Sequence, residues 1–190
     1  MDLSRIAKLK DLELQGRRVL VRVDFNVPLK DGVITDDTRI RAALPTINFL
    51  LQNDARVILM SHLGRPKGKP DPQFSMEPAA ARLAELLESG EVYLTDSCVG
   101  DGARSVVSSL REGQVCMLEN VRFHEGETRN DDKLARELAS FADIYVNDAF
   151  GTAHRAHAST EGVARHVRIK AEGLLLEKEV KALSALLGEV

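Results

Sequence analysis

The chain alternates short apolar runs with longer segments of helical periodicity, and this alternation constrains the fold more than any other feature. Five runs have the length and composition of strands, and most of them are apolar throughout. Such runs are typical of parallel strands that are covered on both faces of a sheet. The predicted strands are Arg18 to Val23, Arg56 to Met60, Glu91 to Leu94, Gln114 to Leu118 and Ile144 to Val146.

Segments with helical spacing of apolar residues separate these runs. After Asp37, the apolar positions from Ile40 to Leu51 share one face of a predicted helix. Ser75 is predicted to cap a second helix, which has Pro78 in its first turn and is ended by Gly90. Further helices are predicted over Asp101 to Leu110, Asp131 to Phe141 and about Gly173 to Leu187.

Strands and helices in alternation predict an α/β domain. The expected architecture is an open, doubly wound, mostly parallel sheet with helices on both faces, a Rossmann-like arrangement of three layers. The length of 190 residues suits one domain, and 44% apolar with 29% charged residues is the balance of a globular protein. The pattern does not specify the order of the strands.

Charge and cysteine content exclude several classes of function. The formal net charge is -3, so no bulk attraction draws the chain to nucleic acid or to an anionic membrane. The two cysteines form neither a disulfide framework nor a zinc motif; Cys116 is predicted to be buried and Cys98 partly exposed. Residues 1–16 lack the apolar core of a secretory signal. A cytoplasmic location is expected, with no membrane or nucleic-acid partner.

Polar side chains follow the predicted strands at the points where the strands end. Ligands of open α/β sheets bind beyond the carboxyl ends of the strands, so we expect these side chains to converge at one edge. The residues in question are Asp24, Phe25 and Asn26 after the first strand, His62, Leu63, Gly64 and Arg65 after the second, Arg122 after the fourth, and His154 and Arg155 after the last.

Four arginines are expected to share that edge: Arg39, Arg65, Arg122 and Arg155. A guanidinium group presents planar, paired donors that fit carboxylate and phosphate oxygens. Asp24 is suited to a ligand hydroxyl or to holding an arginine in place. The predicted ligand is therefore small, carries more than one negative group and has at least one hydroxyl.

Each of these residues also has a plainer interpretation. A single arginine after a strand is usually solvated, and Asp24 and Asn26 could simply form a turn. His154 and His157 lack a third ligand at suitable spacing, so no metal site is predicted. The basic loop at 65–69 could contact nucleic acid, but aromatic residues make up only 4% of the chain and provide no stacking platform.

Four segments stand out: VRVDFNVP at 21–28, SHLGRP at 61–66, LENVRFHEGE at 118–127 and VNDAFGTAHRAHAST at 146–160. They resemble the signature blocks of the phosphoglycerate kinase family. The resemblance extends from about Leu12 to Leu187 and implies one lobe of a two-lobed enzyme. In that family the amino-terminal lobe binds 3-phosphoglycerate or 1,3-bisphosphoglycerate, the carboxy-terminal lobe binds Mg-ADP or Mg-ATP, and a phosphoryl group moves between the acyl phosphate and ADP in glycolysis.

The resemblance also implies roles for individual residues. Arg39 matches the arginine credited with stabilising the transferring phosphoryl group, so it is the implied catalytic residue. Asp24 and Asn26 match positions that hold the glyceryl part of the substrate. The implied substrate-binding set is Asp24, Phe25, Asn26, Arg39, His62, Leu63, Gly64, Arg65, Arg122, His154 and Arg155, with no metal ligand.

The sequence ends at Val190, within what resembles the helix that leads into the second lobe. We expect residues 1–172 to form the phosphoglycerate-binding domain and residues 173–190 to start the interdomain helix. The nucleotide-binding lobe would then be a missing partner, and no Mg-nucleotide is expected on this chain. The chain should fold alone, bind phosphoglycerate weakly and show no turnover. The alternative is a non-catalytic anion-binding or interaction module on the same fold.

Overall fold

A parallel sheet forms the centre of the computed structural model, which describes residues 7–88 and 90–186. The strands are β1 (Ala7–Lys8), β2 (Arg18–Arg22), β3 (Leu29–Lys30), β4 (Val33–Ile34), β5 (Arg56–Met60), β6 (Tyr93–Leu94), β7 (Val115–Met117), β8 (Ile144–Asn147) and β9 (Ile169–Glu172). The helices are α1 (Thr38–Gln52), α2 (Glu77–Leu86), α3 (Asp101–Ser109), α4 (Asp132–Ala139), α5 (Phe150–Ala153), α6 (Val163–His166) and α7 (Leu174–Leu186).

The order of the seven strands in the main sheet is β1-β9-β8-β2-β5-β7-β6. Every pair of neighbours in it is parallel, while β3 and β4 form a separate antiparallel hairpin. The chain proceeds from β2 toward β5 on one side, and β8 returns to the other side of β2. The junction of β2 and β8 is therefore a topological switch point, where the fold opens a crevice at the carboxyl ends of the strands.

Successive residues of each central strand point to opposite faces of the sheet, and each face has its own apolar core. Val19 and Val21 of β2 belong to the core that includes residues of α1 and α2. Leu20 belongs to the other core, which includes residues of α3 and α4. Helices cover both faces, so the predicted doubly wound, three-layer fold is confirmed.

Side-chain hydrogen bonds to free backbone N–H groups stabilise the beginnings of α2 and α4. The Asp131 side chain accepts the N–H of Leu134 at 2.9 Å and caps α4. Met76 rather than Ser75 is the N-cap residue of α2, although the Ser75 hydroxyl accepts the N–H of Glu77 at 3.2 Å. The prediction that α2 extends to Gly90 is wrong, because the helix ends at Leu86.

Cys98 lies in the core beneath α3, together with Ala103 and Val107. The predicted partial exposure of Cys98 is therefore wrong, because its loop turns inward against the sheet. Cys116 is buried, as predicted. Burial raises the pKa of both thiols, that of Cys116 to about 12, so neither is an activated nucleophile.

The last helix, α7, packs against α1 at its beginning. The N–H of Leu174 donates to Thr46 Oγ1 of α1 at 3.0 Å. Toward its end α7 exposes apolar side chains, with Leu183 47% and Leu186 84% exposed. The predicted end at Leu187 lies outside the described residues. Among the helices of the described ranges, none has the length and apolar character that a membrane span requires.

Candidate anion-binding site

Three arginines from separate segments line one cavity beyond the carboxyl ends of the strands. Arg65 follows β5, Arg122 follows β7, and Arg155 follows β8 and the short α5. The cavity has a volume of about 420 Å³, within the range of small-molecule sites. The other residues that line it are Lys67, Gly68, His124, Glu125, Thr128, Arg129 and His157.

Positive charge dominates this cavity. Glu125, its only carboxylate among the lining residues, pairs with Arg129 at 3.0 Å. In the described part of the chain, no carboxylate pairs with Arg65, Arg122 or Arg155. Guanidinium groups that lie together without counterions favour an anionic ligand, since each would otherwise raise the electrostatic energy of the others.

Arg122 is held by two neighbours, the backbone of Gly64 and the side chain of Asn120. Its Nη1 donates to the carbonyl of Gly64 at 2.8 Å, and its own N–H donates to Asn120 Oδ1 at 3.0 Å. Among the described residues its buried Nε has no hydrogen-bond partner. Burial lowers the pKa of Arg122, and the nearby charges of Arg155 and Arg22 lower it further, so an anion in the cavity would relieve this repulsion.

Two asparagines fix the loop that carries Arg65. Asn120 is fully buried, and its Nδ2 donates to the carbonyls of Leu63 and Phe74, each at 2.8 Å. Asn26 Oδ1 accepts the N–H of Gly64 at 2.8 Å. Gly64 has a φ of +60°, and a Cβ there would lie 2.3 Å from the Phe74 ring, so the loop requires glycine at this position.

His62 lies beneath the cavity and is only 4% exposed. Its Nδ1 lies 3.0 Å from Nη2 of Arg22, the last residue of β2. Burial lowers the pKa of His62, and the charges of Arg22, Arg122 and Arg155 lower it further, to about 2. The ring is therefore neutral at physiological pH and acts through hydrogen bonds.

A buried carboxylate, Glu127, supports the segment that carries Arg155. It accepts the N–H of Ser159 at 2.9 Å and the Ser159 hydroxyl at 2.6 Å, and His157 Nδ1 lies 3.5 Å away. Burial alone would raise the pKa of Glu127, but the contact with His157, the charge of Arg22 and the bonds from Ser159 together lower it. Glu127 is thus an anion beneath a cationic cavity.

Arg39 does not line this cavity, although it was predicted to join the other three arginines. Its Nη1 pairs with Asp24 Oδ2 at 3.0 Å. Holding an arginine in place is one of the two roles that the sequence suggests for Asp24. Asp24 also approaches the segment after β8, because a Cβ at Gly151 would lie 3.2 Å from its Oδ2. The ion pair draws Arg39 to a neighbouring position at the carboxyl edge of β2.

Seven other residues of the predicted site do not line the cavity: Asp24, Phe25, Asn26, His62, Leu63, Gly64 and His154. The side chains of Phe25 and Leu63 belong to the core, so only their backbone atoms are available to a ligand. His154 is exposed, and its Nε2 lies 3.4 Å from Arg155 Nε. No group of His, Cys, Asp and Glu side chains able to hold a metal ion occurs within the described ranges.

Sequence reasoning missed several residues of the site. The predicted strand from Arg18 to Val23 includes Arg22 among apolar residues, and a charged residue there must be buried and must find partners. That requirement was the signal that could have identified it. Lys67, which belongs to the basic loop at 65–69, lines the cavity from an exposed position with a φ of +56°. His124, Glu127 and Arg129 carried no signal beyond their presence in the loop after β7.

A larger cavity of about 650 Å³ lies beside the β3–β4 hairpin and is not a comparable anion site. Asp37 in its wall pairs with Arg41 at 3.0 Å and with Arg82 at 2.8 Å, and Arg82 also pairs with Glu85. These charges neutralise one another, so this cavity presents no unpaired cationic cluster.

The chain matches known proteins over almost its whole length. The family model described as phosphoglycerate kinase matches residues 9–190. The phosphoglycerate kinase of Anaeromyxobacter sp. (strain K) is 61% identical over 180 residues, which are 93% of this chain and 45% of that protein. The phosphoglycerate kinase of Acaryochloris marina is 59% identical over 186 residues, which are 97% of this chain and 46% of that protein.

Solved structures show the same relationship. The phosphoglycerate kinase of Coxiella burnetii superposes with a TM-score of 0.85 at 43% identity, over 94% of this chain and 44% of that one. The enzyme of Pyrococcus horikoshii gives a TM-score of 0.84 at 36% identity, over 93% of this chain and 44% of that one. The chain spans less than half the length of these relatives. It belongs to the phosphoglycerate kinase family.

Proposed function

We propose that the chain is the phosphoglycerate-binding part of a phosphoglycerate kinase, and that its cationic cavity binds the phosphate group that is not transferred. The convergence of Arg65, Arg122 and Arg155 in one cavity carries this proposal. Three guanidinium groups without carboxylate partners suit a doubly charged phosphate, which each of them can bind through paired N–H donors. His62 lies beside them as a neutral hydrogen-bonding residue.

The rest of the substrate would extend from this cavity toward Asp24 and Arg39. Asp24 can accept a hydrogen bond from the substrate hydroxyl, and Asn26 lies beside it on the same turn. Arg39 is half exposed, and among the described residues only its Nη1 pairs with a carboxylate, which leaves other donors for the carboxyl or acyl-phosphate group. Phosphoryl transfer depends on positioning and charge stabilisation, so Arg39 is the proposed catalytic residue.

The complete reaction would need a second lobe. We assign Mg-ADP and Mg-ATP binding to the part of the relatives that lies outside this chain. In this proposal residues 1–172 bind phosphoglycerate, residues 173–190 begin the helix toward the second lobe, and the chain alone has no turnover. The enzyme would transfer the acyl phosphate of 1,3-bisphosphoglycerate to ADP in the glycolysis of the cytoplasm.

Isothermal titration of the chain with 3-phosphoglycerate tests the site. Arg65→Ala should lower the affinity by about tenfold or more, since hydrogen bonds between charged groups contribute about 1.5–3 kcal/mol. Arg111→Ala is the matched control, because Arg111 is exposed and precedes β7 at the opposite end of the sheet. Equal losses in the two variants, or no loss in Arg65→Ala, would refute the site.

Two further measurements separate the enzyme from a non-catalytic anion-binding module. An enzyme lobe should bind 3-phosphoglycerate more tightly than inorganic phosphate, whereas a general anion site would bind both alike. Mixing the chain with a separately produced nucleotide-binding lobe of a relative should restore ATP formation, and Arg39→Ala should abolish it. Undiminished turnover in Arg39→Ala would exclude the catalytic role of Arg39.

A further inference from the structure

Beneath the cationic cavity lies a buried hydrogen-bonded network, and Arg22 is at its centre. The guanidinium group is fully buried and uses three nitrogens. Its Nε donates to Ser159 Oγ at 2.8 Å, its Nη1 donates to the carbonyl of Val23, and its Nη2 lies 3.0 Å from His62 Nδ1. Arg22 therefore joins β2 to the loop after β5 and to the segment after β8.

The contact between Arg22 and His62 determines which ring nitrogen carries the proton. A guanidinium group has only donors, so His62 Nδ1 must be the acceptor. In a neutral imidazole the proton then resides on Nε2. Among the described residues Nε2 has no hydrogen-bond partner, while Arg122, Arg155 and His157 are near enough to lower the pKa of the ring. All three of these neighbours line the cavity.

The charge of Arg22 is compensated through Ser159. The Ser159 hydroxyl accepts from Arg22 Nε and donates to Glu127 Oε1 at 2.6 Å, while Glu127 Oε2 accepts the Ser159 N–H. Burial lowers the pKa of Arg22, and the negative charge of Glu127 opposes this effect. An uncompensated buried guanidinium would be strongly destabilising, so Glu127 allows Arg22 to stay charged in contact with His62.

We propose that Arg22 is a positioning residue that holds His62 as its Nε2–H tautomer, so that the ring offers a donor rather than a lone pair to an anion in the cavity. The opposite tautomer would present a lone pair at Nε2, which repels phosphate oxygens. The tautomer itself is a property of the free chain, whereas its use in binding phosphoglycerate rests on the proposed function.

Nitrogen-15 NMR of the chain labelled at histidine tests the tautomer directly. In the unliganded wild type, His62 Nδ1 should have the chemical shift of an unprotonated acceptor and Nε2 that of a protonated nitrogen. Neither shift should change between pH 5 and pH 8. A protonated Nδ1, or an imidazolium in this range, would overturn the proposal without reference to any variant.

Two variants separate positioning from general disruption of the network. Arg22→Met removes the donor to Nδ1, so the ring should become a mixture of tautomers. Ser159→Ala breaks the relay to Glu127 but leaves the Arg22–His62 contact, so the Nε2–H tautomer should persist. An unchanged tautomer in Arg22→Met, or the same mixture in Ser159→Ala, would overturn the role of Arg22. If Arg22→Met does not fold, the wild-type and Ser159→Ala spectra still test the tautomer, and a protonated Nδ1 in either would overturn the proposal.

Titration with 3-phosphoglycerate then tests the consequence for binding. Arg22→Met should lose about tenfold in affinity, because the ring no longer presents a fixed donor to a charged group. The ratio of wild-type to variant affinity should also change between pH 5 and pH 8, as the released ring titrates. A constant ratio would contradict positioning through His62. If the wild type has the Nε2–H tautomer but binds no phosphoglycerate, the proposed function fails and the tautomer assignment stands.

Discussion

Asp148 is a buried carboxylate that should make the stability of the chain depend on pH in an unusual direction. It follows β8 and is fully buried. Its Oδ1 accepts the N–H groups of Leu175 and Leu176 at 2.9 and 3.2 Å, so it caps α7. Among the described residues its Oδ2 has no partner. A Cβ at Gly173 would lie 2.1 Å from Oδ1, so this close approach requires glycine.

Burial raises the pKa of Asp148 from 3.8 to about 6, although the nearby Thr46 side chain and the N–H groups of Leu176 and Leu175 oppose the rise. The folded chain therefore holds this proton over a pH range in which the unfolded chain has lost it. Stability from this group is greatest below the unfolded pKa and declines as the pH rises toward the folded pKa. A shift of about two pKa units corresponds to about 3 kcal/mol of unfolding free energy. About 2 kcal/mol of this stability is lost as the pH rises from 4 to 7.

Urea denaturation of the wild type and Asp148→Asn at several pH values measures this effect. Asparagine keeps an acceptor for α7 and does not titrate. The wild type should therefore gain about 2 kcal/mol of unfolding free energy relative to Asp148→Asn as the pH falls from 7 to 4. Asp54→Asn is the control, because Asp54 is exposed and its φ of +55° suits asparagine. A pH-independent difference, or a relative loss for the wild type at pH 4, would refute the reasoning.

Three further predictions concern the loops and the core. Gly64→Ala should destabilise the chain by at least about 1–3 kcal/mol in urea denaturation, because φ is +60° and the Cβ meets Phe74; the additional change Phe74→Ala should recover part of the loss. Asn120→Ala leaves the buried Leu63 carbonyl and the partly buried Phe74 carbonyl without their donor, so it should cost about 1–3 kcal/mol and weaken phosphoglycerate binding measured by calorimetry. Ile58→Ala empties part of a fully buried site and should cost about 2–5 kcal/mol, while the affinity of the folded chain for phosphoglycerate stays unchanged; a loss of affinity would contradict the separation of core and site.

The central sheet was predictable because its strands are buried on both faces. The run of β5 is apolar from Val57 to Met60 and lies between amphipathic helices, so its continuous apolar composition identifies it as a strand. β9 was not predictable from this signal, since only Ala171 of its four residues is buried. β1 and the β3–β4 hairpin have two residues per strand, which is too short for any periodicity.

Residues of the candidate site that follow a strand were predictable from the sequence. Residues whose position depends on a contact with another side chain were not. Arg65, Arg122 and Arg155 each follow a strand, and the parallel sheet brings such positions to one edge. The sequence does not specify the partner of Arg39, and its pairing with Asp24 separates it from the cavity. Arg22 was hidden because its neighbours in β2 are apolar, and its partners Ser159 and His62 are distant in the sequence.

A crystal structure of the chain with 3-phosphoglycerate tests the central claim most directly. The phosphate group should lie in the cavity with its oxygens within hydrogen-bond distance of Arg65, Arg122 and Arg155. Density for the phosphate at another surface, with these three side chains facing solvent, would contradict the account.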